Sequence, residues 1–185
     1  LELFRACEDP HRVSSTEEAL STLAYEQGNY HTALQGYRNI CSAFQKMGLR
    51  RTVLEARQEI GKTLLRLGQL EEAEQEFNVV LYDAQKMKDA RSIAFAHFGQ
   101  GHVELERQNI GKALVCFGLG LDALSINPKE MLPPHPHILP LFVEGLRAGL
   151  LWIAEAEYEH DTAHIQQNII ERLLAYATLL TNPDP

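Results

Sequence analysis

Three stretches of the chain align with one another without a gap: Gln27 to Ala33, Leu67 to Ala73 and Arg107 to Ala113. Ala33, Ala73 and Ala113 therefore stand 40 residues apart, and the aromatics Tyr37, Phe77 and Phe117 keep the same step. So do the small residues Ser21, Gly61 and Gly101. A fixed period of this length means a supersecondary unit that buries its apolar face only by stacking on its neighbours. No other feature of the chain restricts its fold as much.

Each unit reads as two helices around a turn. Leu54, Ile60, Leu64 and Leu65 recur at helical spacing ahead of Gly68. A glycine there tolerates the left-handed conformation that ends a helix. In the second helix the alanine and the aromatic four residues later share a face, so the small residue admits the paired helix and the ring fills the space beside it. Ser15 and Glu18 have capping-box spacing ahead of Leu20, Leu23 and Ala24, which sets a helix start near residue 15. The expected helices are 15–27, 30–47, 50–67, 70–87, 90–107 and 110–125.

With Gly61, Gly68, Ala73 and Phe77 and their counterparts 40 residues away, the chain resembles the tetratricopeptide repeat family; the copy from Leu54 to Leu81 is the closest in pattern. The resemblance implies an all-α, right-handed solenoid of antiparallel helix pairs. Its three clear repeats are 14–47, 54–87 and 94–125. The period of 40 exceeds the family's common 34, which implies longer helices. Gln108 departs from the turn glycine, and Glu104 stands where the family prefers an apolar residue.

Beyond residue 125 the register breaks. Four prolines between Asn127 and Pro136 remove backbone donors and forbid a regular helix, so 126–137 reads as an insertion. A degenerate fourth helical pair is expected over 138–181, with His160 in the turn slot, the whole of 1–185 forming one domain. Leu1-Glu2-Leu3-Phe4 reads like the middle of a helix, and the chain is expected to be part of a longer protein.

Composition narrows the function. A net charge of −8, from 17 basic and 25 acidic residues, disfavours phosphate backbones and anionic membranes. No apolar run approaches the ~18 residues of a spanning helix. Cys7, Cys41 and Cys116 lie far apart without a CxxC, which suits a reducing compartment better than a disulfide framework or a zinc site. His160 and His164 could share a helix face but lack a third ligand at a recognisable spacing. His97 and His102 are five apart and point to different faces, and His135 and His137 flank Pro136 without an evident coordination geometry. Glu155 and Glu159 read as a solvated helix end rather than an acid–base pair, which would need a dry cleft. Neither metal, cofactor nor catalytic residues are expected.

The resemblance places the ligand surface on the first helix of each unit. Carried over by position, it comprises Ser15, Glu18, Thr22 and Tyr25 in the first copy and Glu55, Gln58, Lys62, Leu65 and Arg66 in the second. In the third it comprises Phe95, Phe98, His102 and Leu105. Glu18, Thr22, Gln58 and Lys62 do not form the carboxylate clamp of the chaperone-binding subclass. Phe95, Phe98, His102 and Leu105 make one helical stripe, expected either to be covered by the segment 133–140, a second copy or a partner, or to pack on neighbouring first helices. The expectation is a cytoplasmic protein–protein interaction module of a regulatory or signalling protein, not an enzyme. It would bind a protein or peptide, with self-association possible and neither nucleic acid nor membrane as partner. The alternative is a sensing domain that changes shape on binding a peptide or small molecule.

Overall fold

The turns organise this chain as much as the helices do. In the computed structural model, residues 10–125 are described, with side chains from Thr16 to Leu124, together with Arg147, Gln167, Asn168 and Glu171. Six helices follow one another: α1 Pro10–Glu26, α2 Tyr30–Lys46, α3 Arg50–Arg66, α4 Leu70–Met87, α5 Ala90–Glu106 and α6 Ile110–Ser125. There is no strand among the described residues. The expected helices correspond to these six, with one correction. α1 begins at Pro10, so Ser15 lies inside it and cannot cap it. Proline suits the opening of a helix, because the N–H it lacks would have had no intrahelical acceptor there.

Every described turn closes in the same way. The third residue beyond the helix, or the second after α4, donates its N–H back five positions: Asn29 to Ala24 O, Leu49 to Phe44 O, Gln69 to Leu64 O, Asp89 to Ala84 O and Asn109 to Glu104 O, at 2.8–3.1 Å. This Schellman closure requires a left-handed residue just before the donor. That residue is Gly28, Gly48 or Gly68 in three turns, and Lys88 or Gln108, at φ 55° and 62°, in the others. The backbone thus repeats every 20 residues, half the period of the side chains.

The chain divides into two compact units, residues 1–80 and 81–185. In the first, α1 packs on α2 and α2 on α3. The Phe77 ring of α4 lies against Gly61 of α3, where an added Cβ would approach its Cε1 to 2.8 Å. In the second unit α5 packs on α6, and a Cβ on Gly101 would meet the Phe117 ring at 2.7 Å. The 40-residue coincidence of a small residue with an aromatic is therefore a steric pair. In the first copy the glycine sits on the other helix: a Cβ on Gly36 would strike Ser21 Oγ. Ala33, Ala73 and Ala113 are completely buried, as are Phe77 and Phe117. The segments 126–137 and 138–181, with the proposed turn at His160, lie outside the described residues except for the isolated positions above.

Candidate functional site

Five of the nine residues expected to bind a partner fall in the first unit, and three of them meet. Tyr25, the penultimate residue of α1, accepts a hydrogen bond at its hydroxyl from Arg66 Nε at 3.2 Å. The Lys62 ammonium lies 4.8 Å from the centroid of the same ring, close enough for attraction to the ring's negative face. Tyr30, the first residue of α2, meets Tyr25 edge-on with centroids 5.3 Å apart. The turn at Gly28 makes this possible by reversing the chain within three residues. First helices of consecutive copies are thus joined across α1 and α3. Gln58 is half-buried, Arg66 is exposed, and Leu65 is buried.

The electrostatics of this face are mixed. Lys62 is held by Glu59 at 2.5 Å, one turn earlier on α3, and Arg51 pairs with Glu55 at 3.5 Å. Glu18 of α1 has its carboxyl pushed above the usual carboxylate range, first by burial and then by the charges of Glu55 and Glu59. Beside it, Thr22 Oγ1 and Tyr37 Oη are 3.1 Å apart, and burial drives the Tyr37 phenol upward. Lysine, arginine and tyrosine here converge on one ring, with carboxylates at its margin. That arrangement can recognise a polar chain by hydrogen bonds, charge and stacking.

Glu59 and Tyr30 were not among the expected site residues. The spacing of Glu59 and Lys62, three apart on one helix, was the available signal for the first. Nothing local indicated the second, because its contact with Tyr25 depends on the turn geometry.

The α5 residues are placed differently. Phe95 and Phe98 are buried, and Phe98 packs on α6, its ring 6.1 Å from that of Phe117. A Cβ on Gly120 would approach the Phe98 ring to 2.8 Å. For Phe98 the packing alternative describes the contact, although the helix it meets is the second of its own pair rather than a neighbouring first helix. His102 is buried with Nε2 3.6 Å from Glu106, and Leu105 is half-buried. His97 hydrogen-bonds Gln100 at 3.0 Å and is held below the usual histidine range, chiefly by burial.

Cys41 lies buried in α2, and loss of solvation pushes its thiol upward, with Arg57 opposing. A thiol held protonated is a poor nucleophile. Cys116 is half-buried in α6. Among the described residues no group of three or more histidine, cysteine, aspartate or glutamate side chains could hold a metal ion, and no helix is long and apolar enough to cross a membrane. No family model matches the chain, and no curated protein matches it.

Proposed function

We propose that this chain is a protein–protein interaction module whose α1–α3 face receives a peptide segment of a partner. The observation that carries this reading is the convergence of Lys62 and Arg66 from α3 on Tyr25 of α1. A tyrosine presents large amphipathic area for little conformational entropy, and such residues together with arginine dominate protein interfaces. Gln58 adds an amide that can pair with an extended backbone, and Glu18 and Glu55 set the polar margin. The 40-residue small–aromatic pattern supports a solenoid of the tetratricopeptide type, and we take its hand to be the right-handed one of that family. Within that reading the module serves a larger cytoplasmic regulatory or signalling protein.

Selection from a displayed random-peptide library against the immobilised chain tests the proposal. Peptides should be enriched that bind the wild type and lose at least tenfold in affinity on Tyr25→Ala or Lys62→Glu. No enrichment, or selected peptides indifferent to both substitutions, would refute it.

A further inference from the structure

The copies agree mostly one residue at a time and mostly in the core, with one exception at the surface. Gln45-Lys46-Met47 recurs unchanged as Gln85-Lys86-Met87, the longest run of identity at the 40-residue step, and Arg51 recurs as Arg91. All six residues of the run are exposed, the two methionines by 37% and 41%. Packing explains why Ala33 agrees with Ala73; it does not ask for the same three side chains in solvent. The backbone presents both triplets alike. Leu49 closes on Phe44 O and Asp89 on Ala84 O, around the left-handed Gly48 and Lys88.

Both turns are basic in an acidic chain. Lys46, Arg50 and Arg51 lie within 45–51, which holds no acid. Lys86, Lys88 and Arg91 lie within 85–91, where the one acid, Asp89, is engaged by the N–H groups of Arg91 and Ser92 and by the Ser92 hydroxyl. Helix stability accounts for the two lysines, which close α2 and α4 beside the negative pole, but not for the arginines. Those open α3 and α5 at the positive pole, and neither first turn has an acidic residue. Arg51 meets Glu55 at 3.5 Å with both side chains largely exposed, and Lys86 lies 3.9 Å from the centroid of the Tyr82 ring. Lys46, Arg50 and Lys88 have no ion-pair partner among the described residues.

We propose that each of these turns, 45–51 and 85–91, docks an acidic peptide segment of a partner protein that carries an apolar side chain between its carboxylates. The carboxylates pair with the lysines and arginines. The apolar side chain lies on the methionine, whose unbranched thioether adapts to varied shapes. A polyphosphate would gain nothing from the methionines and is repelled by the net charge of −8. The first turn is separate from the Tyr25 site, because Arg50 and Arg66 are the two ends of α3, ~24 Å apart along its axis.

Isothermal titration calorimetry in low-salt buffer tests the proposal with two probes, a peptide alternating glutamate with leucine and one alternating glutamate with serine. The leucine peptide should occupy two sites per chain. Lys46→Glu combined with Arg50→Glu should leave one site, Lys86→Glu combined with Lys88→Glu should leave one, and all four together none, with the helical circular dichroism unchanged. Met47→Ser combined with Met87→Ser should weaken the leucine peptide at least fivefold, and Tyr25→Ala should leave both sites intact. The proposal is overturned if the leucine peptide does not bind, or if the charge variants keep the wild-type stoichiometry. It is overturned equally if the serine peptide binds as tightly, which would reduce the turns to diffuse charge, or if Tyr25→Ala removes the binding. Tighter binding of oligothymidylate or of phosphatidylserine vesicles, lost in the same charge variants, would make the turns a nucleic-acid or a membrane surface instead. Should the charge variants unfold, the methionine pair decides, since an unaltered affinity there overturns the proposal.

Discussion

Five successive turns share one backbone geometry, and only three of them place glycine at the left-handed residue. Lys88 and Gln108 hold that conformation with a side chain, which costs an L-residue ~1–2 kcal/mol. Exchange for glycine removes that cost but adds ~0.5–1 kcal/mol of backbone freedom to the unfolded chain. Gln108→Gly and Lys88→Gly should thus each stabilise the protein by about 0.5–1 kcal/mol, since both side chains are exposed and little packing is lost. Gly68→Ala reverses the same balance. An added Cβ at Gly68 meets no atom within 4 Å, so its cost is backbone conformation alone, about 0.5–1 kcal/mol of destabilisation. For a chain of this size each kcal/mol moves the melting temperature by ~2–4 °C. Thermal and urea unfolding followed by far-ultraviolet circular dichroism would measure both signs, read where the urea slope is unchanged. A lowered melting temperature for Gln108→Gly, or an unchanged one for Gly68→Ala, would refute the argument that the turns are limited by this one dihedral.

Phe77→Ala should cost ~3–5 kcal/mol in urea unfolding, because the ring is completely buried against Gly61; an unchanged midpoint would contradict that packing. Gly61→Ala should destabilise by ~1–3 kcal/mol through overpacking against the same ring, less the ~1 kcal/mol that alanine returns in helix propensity, and Phe77→Leu should relieve part of the strain. Glu18 is raised in the folded state, so folding favours its protonated form; this contribution is present below the unfolded carboxylate range and is lost as pH rises through the folded pKa. Glu18→Gln should accordingly raise the melting temperature near neutral pH and bring no gain in acid, and a gain that does not depend on pH would show that charge is not the cause.

The period of 40, carried by Ala33, Ala73 and Ala113 and by the aromatics four residues on, was sufficient to specify six helices and their breaks. Helix formation and turn chemistry are local, decided by residues within a few positions of one another. The start of α1 escaped that reading because Ser15 and Glu18 offered a cap that the helix passes through. The 20-residue backbone repeat was hidden for a related reason: Lys88 and Gln108 do the work of glycine without its signature. The partner face was legible only as a set of helical positions. Phe95, Phe98, His102 and Leu105 form a stripe in the sequence, but a stripe does not say whether it faces a groove or a neighbouring helix, since both require apolar residues at the same spacing. Packing decided that Phe98 lies against Phe117 and Gly120, and that Lys62 and Arg66 reach across 37 and 41 residues to Tyr25. Contacts of that separation depend on where whole helices come to rest, and the helical period leaves their rotation and offset open. The sequence by itself determined what is helical and what repeats; the tertiary structure alone decided which residues face one another.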